Sequence, residues 1–277
     1  MKRKAVKIIA WTLGTILLLT LAFFANAFFG NPVSGALARR SARQLLAREH
    51  PGTDYVIRDV GYNFKTGGYW IHIESPSSPD GAFAVYTDGL GRYSYDTFEE
   101  MVLRRGNTAR RLDMAYRAAG DAVFDAPDFP FDTDVEFTEL EFADSDYPFA
   151  IPPEELELDG EYDLAELGAR AGRLVIYFQD EDLSPERLAE LLPAVKERLL
   201  AAGVPFRTVD AVLRRPKPQD GSPWDPEQLN ILDFPSEDID APDLAERIAA
   251  ADAAAKAYYA KMDEENAKAI AEAAGRD

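Results

Sequence analysis

Residues 173–213 read RLVIYFQDEDLSPERLAELLPAVKERLLAAGVPFRTVDAVL, and the spacing of apolar positions changes twice along them. The first seven form an almost unbroken apolar run, which predicts a strand covered on both faces. Ser184-Pro185-Glu186 has the composition of a helix start: a hydroxyl that can cap, a proline with no N–H to lose, and an acid in the first turn. Leu188, Leu191, Leu192, Val195, Leu199 and Leu200 then supply an apolar side at helical spacing, and Gly203 closes the helix. Pro193 falls inside it, which predicts a kink or two shorter helices. Residues 204–213 return to strand character. Strand, helix and strand in this order make the core of an α/β layer.

Working outward, a short helix at 164–170 and a last strand at 229–234 complete a two-layer α/β sandwich. Residues 132–142 are strand-like, with Val135 and Phe137 on one parity and Leu140 and Phe142 on the other, so a bulge or turn is expected near Thr138-Glu139. Residues 124–131 carry Pro127 and Pro130 and read as a domain linker, Tyr147 to Pro153 as a second irregular piece, and 214–225 as a Pro-rich exposed loop. From Leu244 to about Ala274 an Ala-rich helix places Leu244, Ile248, Ala251, Ala255, Tyr258 and Met262 at alternating spacings of four and three. That narrow seam suits packing on the protein's own body, pairing with another copy, or a frayed tail.

The first half has a different rhythm. Four strand-like runs, at 55–64, 69–74, 82–87 and 92–95, are separated by Lys65-Thr66-Gly67-Gly68, a Ser/Pro loop and Asp88-Gly89-Leu90-Gly91. Tyr69, Ile71 and Ile73 alternate with Trp70, His72 and Glu74, so the two trios lie on opposite sheet faces. A helix at 33–49, with Val33, Leu37, Leu45 and Leu46 as its apolar positions, precedes this meander and can cover one face. Helical spacing returns at 97–123, anchored by Phe98, Met101, Val102, Leu112, Met114 and Tyr116, with a break near Gly106-Asn107.

Ahead of all this, four basic residues (Lys2, Arg3, Lys4, Lys7) introduce an apolar run from Ile8 to Phe29. At about 1.5 Å per helical residue such a run crosses the roughly 30 Å of a hydrocarbon core. It is expected to engage the lipid bilayer through residues 8–29. Ala25-Asn26-Ala27 resembles a signal-peptidase site, and cleavage there would release a secreted body. The apolar run exceeds a signal-peptide core and continues through Phe28 and Phe29, which favours an uncleaved anchor. Basic residues flank both ends of the span, but the first set abuts it, which favours a cytoplasmic N-terminus and an extracytoplasmic body.

The expected architecture is α+β. It comprises a cytoplasmic stub and transmembrane helix (1–32), a helix plus antiparallel β-meander (33–123), a linker (124–131), an acidic two-layer α/β sandwich (132–238) and a long C-terminal helix (239–277). Charge is divided unevenly. Residues 1–48 hold eight basic side chains and no acid, whereas the rest of the 277 residues holds 22 basic and 49 acidic. Residues 118–169 alone carry seventeen acids and no Lys or Arg. Such a body repels nucleic-acid phosphates, so nucleic acid is not an expected partner. Its charge favours solubility and mutual repulsion of copies. The absence of cysteine removes disulfides, thiolate nucleophiles and cysteine-based metal sites.

The stretches Phe29-Gly30-Asn31-Pro32-Val33-Ser34, Gly61-Tyr62-Asn63-Phe64-Lys65 and Glu74-Ser75-Pro76, with Ser78 and Asp80 beyond, resemble the YfjL-like family of small membrane-anchored proteins from Gram-positive bacteria. The resemblance is most specific over residues 1–100. It implies an anchor, a helix, a meander and a second α/β region, and it brings no catalytic or binding residues.

The sequence holds few catalytic options. Only His50 and His72 could serve a Ser-His-acid arrangement; His50, before Pro51, is placed to cap a helix, and no Gly-x-Ser-x-Gly is present. Zinc is poorly supplied. Asp132-Thr133-Asp134 and Asp144-Ser145-Asp146 fail the EF-hand pattern because Phe137 and Phe149 stand where glycine is needed. A calcium site of another kind could draw on Asp128, Asp132, Asp134, Asp144 and Asp146. Gly67-Gly68 lacks a following Lys-Ser/Thr, so no phosphate loop is formed. No cofactor is implied.

Trp70, His72 and Glu74 are the candidate ligand surface, set against a covered face or a cross-strand pair as the structural alternative. Tyr62, Tyr69, Tyr86, Tyr93 and Tyr95 surround them and could extend a platform for a glycan or peptide. The expected function is therefore a single-pass envelope protein with a non-catalytic binding body, with a protein or the cell wall as partner. The alternative is a carboxylate-based envelope hydrolase, marked by a cleft holding two carboxylates with one of them desolvated.

Overall fold

The strand–helix–strand expected from 173–213 forms β6 (Gly172–Gln179), α5 (Pro185–Ala201) and β7 (Thr208–Arg214). The computed structural model describes residues 2–142, 149–218 and 227–274. Asp144, Asp146, the Tyr147-Pro148 piece and most of the 214–225 loop lie outside the described residues. Before β6 come α1 (Lys2–Phe29), α2 (Pro32–Glu49), β1 (Val56–Asn63), β2 (Gly68–Ser75), β3 (Ser78–Thr87), β4 (Tyr93–Asp96), α3 (Gly106–Phe124), β5 (Thr133–Leu140) and α4 (Leu164–Ala171). After β7 come β8 (Gln228–Pro235) and α6 (Leu244–Ala274). The fold is α+β, with an N-terminal apolar helix, an antiparallel sheet, a mixed sheet and a long C-terminal helix.

Two compact units divide the chain. The first is Met1–Thr108 with Leu156–Gly160, and the second is Ala109–Glu155 with Glu161–Asp277. The crossing falls within the first turn of α3, and residues 124–131 lie inside the second unit. There Phe124, Phe129, Phe131 and Phe178 stack edge to face in series, 5.2–6.0 Å between neighbouring rings, so the two prolines shape a packed segment.

In the first unit the sheet order is β1-β2-β3-β4, antiparallel throughout. α2 covers one face: Ala38, Ala42 and Leu45 are buried with Tyr69, Ile71, Ile73, Phe83 and Val85. Val33 and Leu37, expected on the apolar face, are exposed. Small alanines let the helix approach the sheet, and this displaces the buried stripe by about one position. A segment distant in sequence returns to close the unit. Asp159 Oδ1 accepts from Ser78 Oγ (2.8 Å) and Asp80 N (2.9 Å), and Leu158 packs on the same core. The helical run expected at 97–123 divides one residue before Gly106: a π-helical turn, Glu99–Leu103, ends at Arg105, whose φ is +63°. Met114, expected as an anchor, is exposed, while Leu112 and Tyr116 are buried.

In the second unit the order is β5-β6-β7-β8, with only β6 and β7 parallel. β6 is buried on the side of Leu174, Ile176 and Phe178 and half-covered on the side of Val175 and Tyr177, so its apolar run overstates its coverage. The irregularity in β5 lies between Thr133 and Val135. Thr138-Glu139 pairs regularly and turns Thr138 inward, where its Oγ donates to Tyr116 O at 3.3 Å. β7 begins at Thr208 and not at Val204, since Pro205 has no N–H for the ladder.

Ser184 accepts from Arg187 N as the cap of α5, which runs through Pro193 as one helix of 17 residues. α6 packs on β8 and α5. Its Asp252 accepts from Asn230 N on the outer edge of β8 at 2.9 Å, shielding that edge from further strand pairing. Its buried positions end at Ala255, and Tyr258 and Met262 are exposed.

Candidate functional sites

With α2 on one face of the first sheet, the second face consists of the alternate residues. Cross-strand register places Gly61 of β1 opposite Trp70 of β2, Trp70 opposite Tyr86 of β3, and Tyr86 opposite Tyr95 of β4. These four positions form one row across the whole sheet. The Tyr86 and Tyr95 rings stack at 4.4 Å with 12° between planes. A Cβ on Gly61 would lie 2.2 Å from the Trp70 indole, so Gly61 is the floor on which Trp70 rests. Trp70 and Tyr86 are half-buried and Tyr95 is 55% exposed.

The adjoining row carries charge. His72 Nε2 lies 3.2 Å from Glu74 Oε1, and Arg58 approaches the same carboxylate at 3.7 Å. The structure thus brings Trp70, His72 and Glu74 together on an accessible face and joins Tyr86 and Tyr95 to them. Tyr62 and Tyr69 stand apart from this row. A flat polar molecule could stack on the rings and hydrogen-bond to the neighbouring His and Glu.

A second constellation occupies the less covered face of the second sheet. Arg173, on β6, binds Glu141 at 3.0 Å, Asp210 of β7 through a short ion pair, and Asp233 of β8 at 3.7 Å. Asp210 also accepts from Asp233 N at 2.7 Å, and Asp233 has φ +49°. Burial by itself would lower the Arg173 pKa, but the Asp210 charge and the hydrogen bonds outweigh it, and the guanidinium stays protonated. Burial, and then the Asp210 charge, raise the Asp233 carboxyl above the ordinary range, against the pull of Arg173. Glu139 is raised by burial and then by Glu141. A cleft of ≈ 700 Å³ opens beside Arg173, Asp210 and Asp233, walled by Ala251, Tyr258 and Tyr259 of α6. Sequence reasoning gave no sign of this cage, because its members come from separate strands.

The remaining candidates are accounted for by packing. His50 is the C-cap residue of α2, and its ring lies 4.3–5.5 Å from Phe98, Tyr55 and Phe83. Of the acids considered for calcium, Asp128 pairs with Arg198 at 3.2 Å and Asp134 with Arg214. Among the described residues no group of three or more His, Cys, Asp or Glu is arranged to hold a metal ion.

Comparison with known families gives two matches, to the YfjL-like, N-terminal domain over residues 5–96 and to the YfjL-like C-terminal domain over residues 121–249. Together they span most of the chain. It belongs to the YfjL-like family. No curated protein and no solved structure matches it.

The residues that carried the resemblance have structural tasks in this YfjL-like chain. Gly30, at φ +68°, ends α1, and a Cβ there would meet the Tyr69 hydroxyl at 2.5 Å and the Tyr62 ring at 2.8 Å. Tyr69 Oη accepts from Asn31 N (2.9 Å) and donates to Asn31 O (3.0 Å), while Tyr62 Oη donates to Ala27 O (3.1 Å). Asn31 caps α2 by accepting from Ser34 N at 2.8 Å. Ser78 and Asp80 hold Asp159. Among these YfjL-like signature stretches, Gly30, Asn31, Tyr62, Ser78 and Asp80 therefore fix the exit of α1 and the closure of the first unit.

Proposed function

We propose that this YfjL-like protein is a single-pass membrane protein, lodged in the bilayer through residues 8–29. Its N-terminus is cytoplasmic and its acidic body extracytoplasmic. The body binds a ligand on the open face of the first sheet and performs no catalysis. The observation that carries the anchor is α1 itself. From Trp11 to Phe29, Leu13, Ile16, Leu17, Leu18, Leu19, Leu21, Phe23 and Phe24 are all exposed, so this helix has no protein core to enter. The row Trp70–Tyr86–Tyr95 beside His72 and Glu74 supports a binding face suited to sugar rings of an envelope polysaccharide, which stack on aromatics and hydrogen-bond at their rims.

The lack of cysteine makes a topology experiment clean. Lys4→Cys and Glu246→Cys are each introduced singly, and intact cells are treated with a membrane-impermeant maleimide. Labelling at 246 alone is expected. The reverse pattern would invert the orientation, and recovery of the full-length chain in the aqueous fraction without detergent would refute the anchor. A shortened chain in the medium would instead identify cleavage after Ala27 and a secreted body. For the binding face, Tyr95→Ala should weaken retention on insoluble cell-wall polysaccharide by roughly threefold to tenfold, the scale of one stacking contact. Equal retention of the variant would remove the platform.

The raised Asp233 carboxyl beside the ≈ 700 Å³ cleft favours one second reading, a carboxylate-based envelope hydrolase in which Asp233 is the proton donor. Release of reducing ends from the polysaccharide by the full chain, lost in Asp233→Asn, would establish it. Binding without release leaves the first reading standing.

A further inference from the structure

Where α1 gives way to α2 the first unit has a groove of ≈ 510 Å³, lined by Phe29 of α1, Gly35, Ala36 and Arg39 of α2, and Tyr62 and Tyr69 of the sheet. The tyrosine hydroxyls are already committed to Asn31 and Ala27. The Arg39 side chain has no ion-pair or hydrogen-bond partner among the described residues, nor do those of Arg40 beside it and Arg43 on the next turn. This is unusual in a chain whose other arginines are mostly held by acids: Arg173, Arg187, Arg214 and Arg247 are all paired. No acid lies nearby in sequence either, since residues 1–48 contain none.

The surroundings of this charge are apolar on the side that leads to α1. Phe28 and Phe64 are in ring contact at 6.3 Å, and Phe28, Phe29, Val33 and Phe64 are exposed. Phe64 lies at the tip of the β1–β2 hairpin, followed by Lys65. A partner with an anionic group for Arg39 and a hydrocarbon portion for the phenylalanines is an amphiphile. If α1 spans the bilayer, the groove opens at the depth of the headgroups, where Arg39 can reach a phosphate while its stem stays in apolar surroundings.

We infer that this groove seats the headgroup of one anionic phospholipid from the leaflet into which α1 emerges, with Arg39 on the phosphate and Phe28, Phe29 and Phe64 against the glycerol and upper acyl chain. The inference rests on the proposed membrane anchor, and the test separates the two. The full chain is reconstituted into nanodiscs of equimolar phosphatidylcholine and phosphatidylglycerol, and lipids retained after detergent stripping are counted by native mass spectrometry.

One phosphatidylglycerol should be kept in preference to phosphatidylcholine by roughly tenfold: both lipids offer Arg39 a phosphate, but the quaternary ammonium of choline repels the guanidinium where the neutral glycerol does not. Arg39→Gln should abolish the preference, whereas Arg40→Gln and Arg43→Gln should leave it in place. Equal retention of the two lipids, an unchanged Arg39→Gln, or equal losses in all three variants would overturn the site, the last by reducing it to general surface charge. Displacement of the lipid by inorganic phosphate would show a free-anion site and overturn it too. A chain that does not enter the discs at all fails the anchor instead. Thermal melts of the three variants that match the parent exclude misfolding as the cause.

Discussion

Trp70 and Gly61 show how a single pair can hold a surface in place. The indole covers a glycine whose missing Cβ leaves it room, so Gly61→Ala must push Trp70 outward or spread β1 from β2. We expect a loss of about 1–3 kcal/mol, as for other overpacked sites, with polysaccharide retention falling in parallel because Trp70 leaves the row. A melt unchanged from the parent would mean the ring had another place to rest. Tyr116 has the converse arrangement in the second unit. It is fully buried, its hydroxyl donates to Pro205 O at 2.6 Å, and Gly168 and Gly172 leave space for its ring. Tyr116→Phe keeps the packing and removes the donor, so a buried carbonyl is orphaned; urea denaturation should show about 1–3 kcal/mol lost. The sequence indicated Tyr116 as a helix anchor and Trp70, His72 and Glu74 as co-facial, since both follow from local periodicity. It offered Tyr86 and Tyr95 only among five tyrosines and could not tell that these two complete the row while Tyr62 and Tyr69 stand apart, because register between strands is a non-local quantity. The Arg173 cage was hidden for the same reason, with Glu141 and Asp210 lying 32 and 37 residues away.

Among the elements, α5 was the most legible and α2 the least. α5 carries cap, N-terminal proline, leucine stripe and closing glycine together, and these agree on one helix, which Pro193 does not divide in two. Leu200 is the one position of its stripe that points outward, at 48% exposure, against 1% for Leu192. The contrast is a direct test of the helix face. Leu192→Ala should cost about 2–5 kcal/mol and Leu200→Ala under about 0.5 kcal/mol, read from the urea transition of the full chain. Similar values for both would place the core elsewhere. α2 misled in its first half, because its buried stripe opens with Ala38 and Ala42, which carry little weight in a hydrophobic pattern, whereas the larger Val33 and Leu37 face outward; Leu45, expected on the apolar face, is buried. Strand β7 differed at its start because Pro205, apolar and next to Val204 and Phe206, matches the pattern but cannot join the ladder. The return of Leu156–Gly160 to the first unit has no local signature at all, since Asp159 earns its place through partners some eighty residues upstream.

At the scale of the whole molecule, each unit is a sheet with one helix-covered face and one more open face, and charge is what distinguishes the two open faces. The first presents aromatic rings. The second presents carboxylates held by arginines in an acidic body, and this makes stability depend on pH in a direction that can be worked out. Glu139 has its carboxyl raised by burial and by Glu141, with its side chain 28% exposed. In the folded state it therefore holds a proton at pH values where the unfolded chain has released one, so stability falls as pH rises through the window between the ordinary and the raised value. Asp233 acts in the same sense but more weakly, its side chain being 60% exposed and screened by water. Asp54, Asp88 and Asp243, lowered chiefly by hydrogen bonds from Ser75, from Arg92 N and from Arg247, act oppositely, and their contribution is lost only as pH drops through their depressed values. The melting temperature should thus climb on acidification from neutral pH toward the ordinary glutamate value of about 4.3, and fall once pH drops below the ordinary aspartate value of about 3.9 toward the depressed ones. Relief of repulsion among surface acids gives a similar climb, but that part is screened by salt whereas a half-buried carboxyl is screened much less. Repeating the series in high salt with Glu139→Gln separates them. A climb that survives salt in the parent and shrinks in the variant assigns it to Glu139, and a climb that salt removes entirely, in parent and variant alike, assigns it to the acidic surface.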